Sequence, residues 1–235
     1  SDIMDRNLYE RANDSRWWAL NKELIQSLEN ADVRKINEIL SHTNSLYTVY
    51  DNIYVFDNDW NIISSSFLEE SKKVWFLWKK IDDKNLQKVK KLSSSDKYAV
   101  SEFQEDLISN KITYTYLAWL KSWNKTIGWI GLAFDSENQF KKILNDCLPS
   151  EKLSFWLFLD NDWNIISSTD ENYSVWDKFE IDKSFFELKS WEWKNEIIEL
   201  NGHYYIVWWK KSAWYREYKT TDWYKNDVLA LCFIN

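Results

Sequence analysis

The chain has 235 residues and a net charge of −7, with 45% hydrophobic and 29% charged residues, enough for one large or two small domains that bury their own cores. The negative balance speaks against a nucleic-acid footprint, two cysteines (Cys147 and Cys232) leave no disulfide framework or zinc cluster, and no apolar run reaches the roughly 18 residues of a membrane span. One pair of counts is out of line: 17 Trp against 3 Gly, where a chain this long would ordinarily hold about 16 Gly at roughly 7% usage.

In chain order, residues 6–41 contain no Gly or Pro, and Leu20, Leu24 and Leu28 followed by Ile36, Ile39 and Leu40 keep helical spacing. The spacing predicts a long N-terminal helix with a break near Asn30. Next comes an apolar run, Ile53-Tyr54-Val55-Phe56, closed by Asp57-Asn58-Asp59-Trp60-Asn61-Ile62-Ile63-Ser64-Ser65. The same nine residues return at 160–168, an offset of 103, after Phe155-Trp156-Leu157-Phe158-Leu159. Aromatic and β-branched runs ended by Asn-Asp read as strands, so each copy predicts a β-hairpin. Strands are also expected at 97–103, 112–121 and 126–135 in the first half and at 196–200, 203–210 and 228–234 in the second, with Asn201-Gly202 as a two-residue hairpin turn. Residues 139–148 read as a connecting helix ended by Pro149. The pattern is α+β, with an N-terminal helical region at 1–45 and modules at 46–149 and 150–235. Each module is expected to be a five-stranded antiparallel sheet with flanking helices.

The tryptophans fall where glycine is expected. Trp60 and Trp163 occupy the repeated turn, Trp123 another hairpin turn, and Trp223 the approach to the last strand. Such turns favour Gly because the backbone must reach positive φ. These letters fit a lineage that reads UGA as glycine. The competing reading is a truly Trp-rich protein, for instance a carbohydrate-binding module.

The segment Tyr54 to Ser65 resembles the opening hairpin of Cache and PAS-like sensor modules, and Thr126-Ile127-Gly128-Trp129-Ile130-Gly131-Leu132-Ala133-Phe134-Asp135 resembles the last strand of a Cache module. Segments 7–18 and 214–227 are similar to parts of Cache-containing proteins linked to bacterial chemotaxis. The resemblance spans about residues 6–235 and implies a double-Cache arrangement: a small-ligand sensor of a bacterial signal-transduction protein, on the extracytoplasmic side of the membrane. Membrane attachment would come only through flanking segments, since Ser1-Asp2 reads as a cut end without a signal peptide. A homodimer through the N-terminal helix is a further expectation.

For the ligand, the resemblance implies a pocket between the sheet and the segment after the first hairpin. Tyr98, Phe103, Tyr114, Tyr116 and Asp135 are the expected lining there, against the plainer reading of core and surface aromatics. In the second module Arg216, Tyr218 and Asp222 are the expected ligand contacts. Arg216 suits a bidentate carboxylate, or else pairs structurally with Asp222 or Asp227. The Asp-x-Asp-x-Asn turns also match the start of a calcium loop, but Ile165 stands where that loop needs Gly and Leu68 where the first copy would need Glu. The hairpin explains these residues better. His42 and His203 are the only histidines, with no metalloprotease or nucleophile-elbow motif, so neither catalytic residues, metal nor cofactor is expected.

Overall fold

The computed structural model describes residues 1–67, 83–92, 97–123, 125–148, 153–189, 192–213 and 225–235. The chain divides into two units, Glu10–Asp135 and Ser1–Tyr9 with Ser136–Asn235.

The stretch expected as a long helix broken near Asn30 is three helices, α1 (Asp2–Trp18), α2 (Lys22–Glu29) and α3 (Val33–Leu46): the break at Asn30 is there, and a second one falls at residues 19–21. Without Gly or Pro, the breaks come from side chains that cap backbone N–H groups. The Asn21 side chain accepts from the Leu24 N–H at 3.0 Å, and Asp32 accepts from Lys35 N–H at 3.0 Å. Each cap stabilises its helix start by about 1 kcal/mol, so the chain turns where these residues stand. Between α2 and α3, Ala31 takes a left-handed backbone.

In unit Glu10–Asp135 the strands are β1 (Tyr50–Phe56), β2 (Ile62–Ser65), β3 (Tyr98–Val100), β4 (Gln104–Glu105), β5 (Ile112–Thr113), β6 (Thr115–Ser122) and β7 (Lys125–Phe134), with α4 (Asp83–Lys90) between β2 and β3. A five-stranded antiparallel sheet runs β2-β1-β7-β6-β3, and β4 pairs with β5 apart from it. The other unit has α5 (Ser136–Asp146), β8 (Phe155–Leu159), β9 (Ile165–Ser168), β10 (Trp193–Leu200), β11 (His203–Lys211) and β12 (Leu229–Ile234), in the order β10-β11-β12-β8-β9. Read from the repeated hairpin outward, the two sheets have the same strand order. The chain is therefore α+β, as its pattern predicts.

Both hairpin turns are built alike. Asp57 Oδ1 accepts from the N–H groups of Asp59 and Asn61, and Asp160 Oδ1 from those of Asp162 and Asn164. The carboxylates close the turn on themselves, as the hairpin reading requires. Trp60 and Trp163 stand at φ +68° and +65°, with Trp123 at +52° and Trp176 at +78°. An L-residue there costs roughly 1–2 kcal/mol. By contrast Gly131 is fixed by space: a Cβ would lie 2.2 Å from the Tyr54 ring.

Side-chain alternation divides each sheet into two faces. One face of the first sheet packs Tyr54, Phe56, Leu117, Trp129 and Ala133 into a core with Ile62, Val89 and Ile108. Trp60 stacks on Trp129 at 4.7 Å and Trp119 meets it edge-on at 5.4 Å. In the second sheet Leu157, Leu159, Val207, Leu231 and Phe233 pack with Phe179, Phe185 and Leu188.

Candidate functional site

In the first unit, charged side chains gather where β1 begins and β7 ends. The Lys111 ammonium donates to Asp51 at 2.6 Å and lies 3.9 Å from Asp135. Just beyond, the loop 106–111 is built on Asp106, only 4% exposed, whose carboxylate accepts from Tyr54 OH (3.0 Å) and from the N–H groups of Ile108 and Ser109. Burial pushes the Asp51 carboxyl above its ordinary value. Lys111 opposes that shift, and the charges of Asp135 and Asp106 add to it. Two carboxylates thus face one half-exposed ammonium, with the Asp106 charge nearby.

The opposite face of the same sheet meets α1 through a second, aromatic cluster. The Tyr50 hydroxyl donates to Asp14 at 2.5 Å. The Arg11 guanidinium lies over the rings of Tyr50 (5.3 Å) and Phe134 (5.9 Å) and 3.3 Å from Asp14. Arg16 lies 5.3 Å over Tyr98, which is 6.5 Å from Tyr116. Burial raises the Asp14 carboxyl, with the Tyr50 bond and Arg11 opposing. Burial also raises the Tyr50 and Tyr116 phenols.

Of the residues expected to line a pocket, Asp135 is in the charged cluster, Tyr98 and Tyr116 face α1, and Phe103 packs on Tyr114 at 5.1 Å. Arg216, Tyr218 and Asp222 lie outside the described residues. Sequence reading missed Asp51, Asp106 and Lys111, which no local pattern marks. Arg11 and Asp14, spaced i, i+3 on a helix, were open to reading as a pair.

The second unit places different groups at the same topological point. Ser154, which stands 103 positions after Asp51, accepts a hydrogen bond from the Asn235 N–H at 3.3 Å, just beyond the end of β12. A polar groove of about 790 Å³ opens there between Thr169–Tyr173, Asn201, His203 and Tyr205. Among the described residues no group of His, Cys, Asp and Glu is arranged to hold a metal ion.

No family model matches the chain, and no curated protein does. Solved structures do. The sensor domain of the Vibrio cholerae histidine kinase DctB is similar at a TM-score of 0.68 with 13% identity, covering 99% of this chain and 91% of that one. The extracellular domain of the histidine kinase rpHK1S-Z16 gives 0.59 at 10% identity over 99% and 95%. The ligand-binding domain of the Pseudomonas fluorescens chemoreceptor CtaA, in complex with L-serine, gives 0.57 at 10% identity over 99% and 97%. The chain therefore has the fold of Cache-type sensor domains.

Proposed function

We propose that this chain is the ligand-sensing region of a bacterial signal-transduction protein of the chemoreceptor or sensor-kinase kind. It would comprise a helical region (1–45) and two Cache modules (46–149 and 150–235), displayed outside the cytoplasm. Two features support the reading: the fold shared end to end with sensor domains, and the sheet end at which a charged cluster opens to solvent. Among the described residues no helix is long and apolar enough to cross a membrane, so attachment would lie in other segments.

The observation that carries the ligand class is Lys111 between Asp51 and Asp135. An ammonium is already held there by two carboxylates, and the lysine side chain that carries it is half exposed. A small ligand with a primary ammonium would take its place, gaining charge-assisted hydrogen bonds. Binding would then shift a conformational equilibrium that an attached output domain reads. The carbohydrate reading gains little, because Trp193 and Trp208 stack on each other at 5.2 Å instead of forming a flat platform.

Isothermal titration with L-amino acids, simple primary amines and dicarboxylates tests this. Binding of ammonium-bearing compounds, lost in Asp135→Asn, is the expected result. Binding of dicarboxylates alone, or binding indifferent to Asp135→Asn, overturns it.

A further inference from the structure

Among the described residues strand β10 is the edge of the second sheet, paired only with β11. On the sheet face away from the core, Trp193 and Ile197 of β10 stand beside Tyr204, Ile206 and Trp208 of β11, all exposed, with Ile197 itself 68% exposed. The register joins them into one row: Ile197 lies opposite Ile206, Glu199 opposite Tyr204 and Asn195 opposite Trp208. On the other face Ile198 and Leu200 pack against the core, so the exposed row is not a slipped register. A long edge strand with an apolar flank is a template for another strand. Helix α1 is a weaker candidate for self-association, since it buries Met4, Leu8 and Ala12 within its own chain.

We propose that β10 pairs antiparallel with β10 of a second copy of this chain, about a two-fold axis through Asn195. That axis sets Lys194 of each copy opposite Glu196 of the other and Trp193 opposite Ile197, on the same sheet face. Centring the pair on Glu196 would oppose two like charges instead. Lys194 and Glu196 form no ion pair among the described residues, so the two-fold supplies what each lacks, and it merges the two apolar rows into one buried strip. The result is a continuous ten-stranded sheet with a self-complementary seam of the kind closed dimers use.

Sedimentation equilibrium tests the seam. The protein is expected to dimerise. Lys194→Glu and Glu196→Lys, both at exposed positions, should each weaken the dimer by at least about tenfold, and the double exchange should restore it. A monomer at all concentrations overturns the proposal, as does a dimer indifferent to both single changes, which would place the contact on α1 or elsewhere.

A different observation carries a second inference. Trp60, Trp123, Trp163 and Trp176 all hold left-handed backbone, and Trp123 gains nothing for it, being 98% exposed. Trp18, Trp193 and Trp209 are not in that region. We infer that the first four are glycine in the protein as its own cell makes it, the corresponding UGA codons being read as Gly. Mass spectrometry of the native peptide spanning 57–65 is expected to show Gly at 60, and Trp there overturns the inference. As a second readout, Trp123→Gly and Trp163→Gly should raise the melting temperature, whereas Trp18→Gly in a helix should lower it. A fall in melting temperature for both turn variants would also count against it.

Discussion

Strands β6 and β11 hold the same place in their sheets, yet their sequences differ in period. Thr115, Tyr116, Leu117 and Ala118 of β6 are buried one after another, while β11 alternates, with Tyr205, Val207 and Trp209 inside and Tyr204, Ile206 and Trp208 outside. A strand covered on both faces reads as a continuous apolar run; a strand covered on one face alternates. The two units therefore share a fold but not a use of it. The first sheet has a helix on one face and a core on the other, and gathers charge at its end. The second leaves that face open only along β10 and β11, with Phe140 of α5 packed on Phe158 of β8, and it places neutral Ser154 and Asn235 where the first has Asp51 and Asp135. The repeated hairpin and the common strand order mark one scaffold used twice, and the ligand chemistry proposed above belongs to the first unit.

The contrast can be broken in order of effect. Leu117→Ala should cost about 2–5 kcal/mol of stability, as buried truncations do, whereas Ile206→Ala on the open face should cost less than about 1 kcal/mol in the monomer; urea unfolding compares them. Asp135→Asn should weaken ligand binding by about 2 kcal/mol or more, the loss expected when one partner of a desolvated charge pair is removed. Ser154→Ala, at the matching point of the second unit, should leave binding unchanged by calorimetry. Trp123→Gly should stabilise the protein by about 1 kcal/mol by relieving a left-handed backbone. The smallest effect concerns pH. Burial raises the Asp51 carboxyl, so just above the ordinary carboxylate range the folded chain binds more protons than the unfolded one. Stability from this group is therefore greater at low pH and falls as pH rises through the raised value. Thermal melts of Asp51→Asn should show a shallower decline across that window.

The fold was largely legible because its signals are local. The Asp-Asn-Asp turns, the Asn201-Gly202 hairpin and the run from Thr126 to Phe134 each specify a strand or turn from neighbours in sequence. The break near Asn30 was legible, but the earlier one between α1 and α2 was not, because Asn21 acts as a cap only once the chain has turned. The site was less legible still. Asp51, Lys111 and Asp135 lie on separate elements, and the strand order β1-β7-β6 brings them together. Tyr98 and Tyr116 were recognisable as important aromatics, but their face depends on register: Tyr98 pairs with Ala118 and Val100 with Tyr116, which turns both rings toward α1.

The most direct test is a crystal structure of the protein soaked with the ammonium compound that gives the largest heat on titration. The ligand nitrogen should lie within about 3 Å of Asp51 and Asp135, in the place of the Lys111 ammonium. A ligand found beside Ser154 and Asn235 in the second unit, with Lys111 undisturbed, would contradict the account.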